Sequence, residues 1–193
     1  MDPYVYPGTQ VLRNLRGIRD ADQLRRFEAD TTSFRIRQLE SAERPGQLDI
    51  PHLQAIHHRI FQDIYDWAGA FRTVGIARQG QYDFSPPVQI FPSLGRLFHE
   101  LHSEQYLVMT DSDEFISRAA YYMGDINAVH PFRDGNGRTQ REFIRQLALR
   151  NGYRLNWSRV TPEQMYRASH QSFQRGDYEG LASVLRSALA PPS

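Results

Sequence analysis

Apolar positions recur at helical spacing along most of this chain. After Asp20 or Asp22, either of which can cap a helix, Leu24, Phe27, Thr31, Phe34 and Leu39 fall roughly on one face. Pro45-Gly46 breaks that run. Asp49, with Pro51 two residues later, reads as the start of a second helix reaching Trp67, with Leu53, Ile56, Ile60, Phe61 and Ile64 on its stripe and Ala68-Gly69 ending it. Between 71 and 84 the pattern changes. Phe71-Arg72-Thr73-Val74-Gly75-Ile76, a polar Gln79-Gly80-Gln81 turn and Tyr82-Asp83-Phe84 read as a hairpin, closed by Pro86-Pro87. Two helices follow, near 88–103 and 112–128, and the run Glu142 to Leu149 forms another, capped by Asn151-Gly152. Thr161-Pro162-Glu163-Gln164 is a capping box with proline at the first helical position, and a last helix runs from near Asp177. The pattern predicts a mostly α fold with one short β-hairpin.

Composition narrows the class. At 193 residues, 40% of them hydrophobic, the chain fits one domain with a real core, and its apolar runs fall short of the ~20 residues that span a bilayer. Met1-Asp2-Pro3-Tyr4 shows neither a basic nor an apolar leader, so the expectation is a cytoplasmic protein without membrane contact. There is no cysteine, which excludes disulfides, thiol nucleophiles and cysteine-ligated zinc. There is no lysine either, so all 23 basic residues are arginine. A Walker-type phosphate loop and Schiff-base chemistry are thereby excluded, and any phosphate must be held by arginine. A net charge of +1 with no basic run longer than two residues gives no support for direct nucleic-acid binding.

One segment concentrates chemistry. His130-Pro131-Phe132-Arg133-Asp134-Gly135-Asn136-Gly137-Arg138-Thr139-Gln140-Arg141 leads without a break into a helix. Glycines before a helix start let backbone N–H groups face an anion, and the helix dipole adds positive charge there. Arg138 and Arg141 lie on neighbouring faces of the first turn, where both can reach one polyphosphate. Asp134 is the kind of oxygen ligand Mg²⁺ takes when it also binds substrate phosphates, although its plainer reading is an N-cap. His130 titrates near neutrality and is the natural general base. These residues predict a site for ATP and Mg²⁺ with a base beside it, and Phe132 reads as packing that fixes the loop.

The segment resembles the signature of the Fic family, HxFx(D/E)GNGRxxR, at every fixed position. Tyr4 to Thr9, Val11 to Asn14, the helix containing His57 and ending Asp63-Ile64-Tyr65-Asp66-Trp67-Ala68-Gly69, and Gly152-Tyr153 resemble the bacterial Fic toxin subgroup controlled by a separate antitoxin. The resemblance implies a single Fic-type helical domain over 1–193, with an N-terminal helical region 1–48, a core 49–193, a flap hairpin 71–84 and a catalytic loop and helix 130–150. It implies protein adenylyltransferase activity, moving AMP from ATP to a hydroxyl of a target protein. The backbone of Gly135, Asn136 and Gly137 with the Asn136 side chain would hold phosphate oxygens, and Arg138 and Arg141 the β- and γ-phosphates. The flap edge Ile76, Ala77, Arg78, Gln79, Gly80, Gln81, Tyr82, Asp83 and Phe84 would dock the target as an added strand.

The resemblance also frames regulation and partners. Many relatives are inhibited by a glutamate in an (S/T)xxxE(G/N) helix that pairs with the second motif arginine. Here the nearest match, Thr110 to Glu114, is followed by Phe115, so a small antitoxin is expected to supply that glutamate near Arg141. The implied targets include B-type subunits of type II topoisomerases. Alternatives are another transfer on the same scaffold (kinase, UMP or phosphocholine) or an inactive Fic binding module; Gly137 argues against the Doc-type kinases, which carry lysine there. The helix after Thr161, with Tyr166 and Gln174, is the candidate side for the adenine. The histidines at 52, 57, 58, 99, 102 and 170 read as structural or solvent-facing.

Overall fold

The computed structural model describes residues 2–41, 46–77, 83–108 and 110–190. Helix α1 (Ala21–Glu40) starts at Asp20, whose side chain accepts the Gln23 N–H at 2.7 Å. Its inward stripe runs through Leu24, Glu28, Thr32, Arg35 and Leu39. Phe34, expected on that stripe, is 51% exposed. It lies ten residues after Leu24, which at about 100° per residue is roughly 80° off the stripe.

Helix α2 (Ile50–Phe61) is capped by Asp49, which accepts the His52 N–H at 2.8 Å. It ends at Phe61 rather than at Trp67. The N–H groups of Ile64 and Tyr65 both turn back to the Phe61 carbonyl, and the Ile64 carbonyl accepts the Leu15 N–H at 2.8 Å. Ile64 and Tyr65 stay buried through that turn, so their apolar spacing continued the helical pattern without continuing the helix.

The remaining helices are α3 (Pro87–Ser103), α4 (Ser112–Val129), α5 (Asn136–Arg150), α6 (Pro162–Arg175) and α7 (Glu179–Ala188). Helix α4 packs against α3, α5, α6 and α7, and α5 packs against α2 and α4. Phe115, Ala119, Ala120 and Tyr122 on α4 and Phe143, Ile144, Leu147 and Ala148 on α5 are fully buried. The α4–α5 pair is therefore the centre of the core, and the short link from 130 to 135 is held at one end of it. The capping box at Thr161 and Gln164 is present. Asn151 ends α5, with Gly152 left-handed at φ 77° and the Tyr153 N–H returning to Ala148.

No extended strand forms among the described residues. The ends of the expected hairpin do pair, through an antiparallel bridge between Ala77 and Asp83 and a Phe84 N–H to Ile76 carbonyl bond of 3.1 Å. Arg78, Gln79, Gly80, Gln81 and Tyr82 lie outside the described residues. The N-terminus forms a second bridge, Val5 with Leu12, which the sequence pattern had not indicated. That segment meets the flap base where the Tyr4 hydroxyl accepts the Thr73 N–H at 3.1 Å. No helix among the described residues is long and apolar enough to cross a membrane.

Candidate active site

His130 closes α4 in the left-handed region (φ 49°, ψ 62°), a strained conformation for a residue with a β-carbon. Its neighbours hold it there. The His130 N–H reaches Ile126 at 3.0 Å, and Nδ1 lies 3.2 Å from the Asn127 carbonyl. The Phe84 ring stacks on the imidazole with centroids 3.8 Å apart. Phe84 had been placed on the docking edge, but it is 6% exposed and lies against His130, because a flat apolar ring is better buried on a second ring than left in water.

Arg72 was missed by the sequence reading and is central to this loop. It is 2% exposed and meets no acidic partner among the described residues; instead it donates to the carbonyls of His130 (2.8 Å), Val74 (2.8 Å), Val129 (3.2 Å) and Ser85. Its own N–H reaches Pro131 at 2.9 Å. One guanidinium thus ties the flap base to the end of α4. Burial holds its pKa below the ordinary arginine value. Nothing in the run 71–76 marks the residue except that it is the one charge there.

Beneath the loop runs a column of rings. His57 stacks on Phe132 at 3.9 Å and on Phe61 at 4.7 Å. His57 Nδ1 accepts the Gly69 N–H at 2.8 Å, so Nε2 donates to the Asp134 carbonyl 3.1 Å away. Full burial pushes the imidazole pKa down to about 3, so it stays neutral. Phe132 is buried, as its reading as packing expects. Gly135 sits at φ 78°, and a β-carbon there would lie 2.2 Å from the Phe61 ring. Only glycine fits.

Asn136 has a structural task that the sequence did not indicate. Its side chain accepts the Phe132 N–H at 2.9 Å and donates to the Phe132 carbonyl at 2.8 Å, and it is 3% exposed. The amide matches both groups of one peptide unit, so it closes the loop, and one N–H of its Nδ2 remains for a phosphate oxygen. Asp134 does not cap α5; it accepts the Gly135 N–H, and its side chain is 45% exposed. Its carboxyl is raised above the usual range, first by loss of solvent around it and then by nearby Glu28.

The two motif arginines part company. Arg141 faces a cavity of about 540 Å³ whose walls include Met123, His130, Gly137, Trp157 and Met165. Burial and the charge of Arg138 lower its pKa, and no hydrogen bond or ion pair reaches its guanidinium among the described residues. Arg138 is not on that wall. It turns towards α1, donating to Glu28 at 2.5 Å, with Phe61 under its face at 4.6 Å. Tyr166 lines the cavity; Gln174 does not. Together the loop brings an imidazole, a guanidinium with no ion pair among the described residues and a helix N-terminus to one concave space, which suits an anionic ligand.

Comparison with known proteins agrees. The family described as Fic/DOC matches residues 47–148. Protein adenylyltransferase VbhT of Bartonella schoenbuchensis is 41% identical over 97% of this chain, although the matched part is 39% of that protein's length. A probable protein adenylyltransferase Fic of Salmonella typhimurium is 39% identical over 98% of this chain and 92% of its own. Among solved structures, BepC of Bartonella tribocorum with bound AMPPNP superposes with a TM-score of 0.92 at 26% identity, covering 98% of this chain and 97% of that one. The chain belongs to the Fic/DOC family.

Proposed function

We propose that this chain is a protein adenylyltransferase that moves AMP from ATP to a hydroxyl side chain of a target protein. The observation that carries the reading is Arg141, a partly buried cation with no hydrogen-bond or ion-pair partner among the described residues, in the same cavity as His130 at the N-terminus of α5. The relatives' shared name and the AMPPNP bound to BepC support it. In this reading the triphosphate lies along the first turn of α5, with backbone N–H groups from Gly137 onward and Arg141 on its oxygens. His130 Nε2 takes the proton as the target hydroxyl attacks the α-phosphorus and pyrophosphate leaves. The adenine lies among Met123, Trp157 and Met165, on the side where Tyr166 stands.

Asp134 fits Mg²⁺ as a cation that arrives with the nucleotide. Its second carboxylate oxygen makes no hydrogen bond, and no cluster of three metal-binding side chains exists among the described residues, so phosphates would complete the shell. Held there by Asp134, the ion would supply positive charge next to the departing pyrophosphate. Target docking is assigned to the flap edge from Ile76 to Asp83, without Phe84. A separate antitoxin glutamate would find Arg141 unpaired, and the toxin-subgroup resemblance carries that partner, a cytoplasmic home and topoisomerase B-type targets.

The test uses ATP labelled at either phosphate, Mg²⁺ and a bacterial lysate. Protein label from the α-position only, lost on chelation and in His130→Ala, is the expected result. Label from the γ-position instead would make the chain a kinase and sink the assignment.

A further inference from the structure

Arg138 is held more firmly than a phosphate-binding side chain that waits for its ligand needs to be. Its Nη2 donates to Glu28 at 2.5 Å and its Nη1 lies 3.4 Å from the Thr32 hydroxyl. Glu28 and Thr32 are one turn apart on the inner face of α1. The guanidinium face rests on Phe61 at 4.6 Å. Glu28 is itself fixed, because its second oxygen accepts the buried Tyr65 hydroxyl, and Tyr65 stacks on Trp67 at 4.3 Å. The Glu28 and Arg138 side chains are 14% and 23% exposed, unlike an exposed pair at the protein surface. The Asp134 carboxylate lies 3.8 Å from the same Nη2.

Neither the sequence motif nor the catalytic chemistry requires a glutamate at this place. We propose that Glu28 is a positioning residue of the transfer reaction: with Tyr65 behind it, it sets the place of Arg138 beside Asp134, and so makes α1 part of the active site. The inference rests on the adenylyltransferase reading. A guanidinium has five N–H donors, and Glu28 and Thr32 occupy one each, so Arg138 can meet an anion without leaving α1. A cation fixed in advance where charge develops acts more strongly in the transition state than in the ground state. Glu28 also differs from the inhibitory glutamate of relatives, since it engages the first motif arginine and leaves Arg141 free.

Glu28→Gln keeps the shape of the side chain and removes its charge. With α-labelled ATP in a fixed lysate, the variant should lose roughly tenfold in kcat, while KM for ATP moves less than about threefold, the split expected when only transition-state contact is lost. In an Arg138→Ala background the same change should cost less than about twofold, because the residue through which Glu28 acts is gone. Independently of activity, the Arg138 guanidinium signal of ¹⁵N-arginine-labelled protein, assigned from Arg138→Lys, should be sharp in wild type and broadened in Glu28→Gln. Full activity of Glu28→Gln, or an undiminished loss in the Arg138→Ala background, overturns the proposal. So does a lower KM for ATP in Glu28→Gln, which would make Glu28 a competitor of the nucleotide. If wild type transfers no α-label, the functional reading fails, and an unchanged Arg138 signal in Glu28→Gln would separately remove the positioning role.

Discussion

The first turn of α5 presents two faces that sequence alone made equivalent. On one, Arg141 stands partly buried at the wall of a cavity, without a partner among the described residues; on the other, Arg138 is tied by Glu28 and Thr32 to α1 and rests on Phe61 of α2. Both residues occupy fixed positions of one motif, three apart. The difference lies in what each meets across the helix, and that is decided by α1 and α2, more than seventy residues upstream. An open face with an unsatisfied charge is built to receive a ligand. A face with its charge already matched is built to hold geometry.

Removing the base should do most to the open face. His130→Ala is expected to lower AMP transfer by at least about 100-fold, while leaving nucleotide affinity nearly unchanged, because His130 acts on the hydroxyl proton. Rates of α-label incorporation alongside calorimetric binding of a non-hydrolysable ATP analogue would read both. A parallel loss of affinity would mean that His130 supports the cavity instead of the chemistry.

The two arginines should then answer with opposite signs. Arg138→Ala leaves the Glu28 carboxylate poorly solvated and unpaired, and should cost about 2 kcal/mol of stability. Arg141→Met removes a partly buried cation with no partner among the described residues, and should raise stability by about 1 kcal/mol while weakening nucleotide binding roughly tenfold or more. Urea denaturation of both variants measures this directly. Equal destabilisation by both would erase the distinction between the faces.

How much of this was legible before the structure follows the same division. Caps and breaks are local, so the starts at Asp20, Asp49 and Thr161 and the stop at Gly152 could be read from a few neighbouring residues. His130 and Arg141, both fixed positions of the motif, line one cavity, because their spacing from the helix start sets their direction. Partners contributed by distant segments were invisible. Neither Glu28 nor Arg72 has a sequence neighbour that marks its partner; only folding brings each to the loop. Helix α2 was read too long because Ile64 and Tyr65 reach the same core through a turn.

Asn136 tests whether the loop itself belongs to the geometric face. Its amide satisfies both polar groups of the Phe132 peptide unit in a buried place. Asn136→Ala leaves that N–H and carbonyl without partners, and should cost about 2 kcal/mol, with transfer falling because the loop loosens. Asn136→Asp keeps the acceptor and loses the donor, so it should recover part of the stability. If Asn136→Ala folds as stably as wild type and fails only in nucleotide binding, the amide is a phosphate ligand after all.

The smallest expected effect comes from the column beneath the loop and depends on pH. His57 is neutral in the folded protein, because burial lowers its pKa from 6.5 to about 3. In the unfolded chain the same imidazole binds a proton as pH falls through about 6.5, so below that value protons favour unfolding. The contribution of His57 is fully present above pH 6.5 and is withdrawn down towards pH 3, by up to about 1.4 kcal/mol per pH unit. Between pH 6.5 and 5.5 the loss is about 1 kcal/mol, since protonation of the unfolded state is incomplete over the first part of that interval. Urea titrations at the two pH values should show it, and His57→Gln, starting from lower stability, should flatten that slope. Arg141 carries its charge throughout this interval, so the acid sensitivity belongs to the column that shapes the loop and not to the face that receives the nucleotide. A slope unchanged by His57→Gln would place the titrating group elsewhere and leave the stacked ring on Phe132 as packing alone.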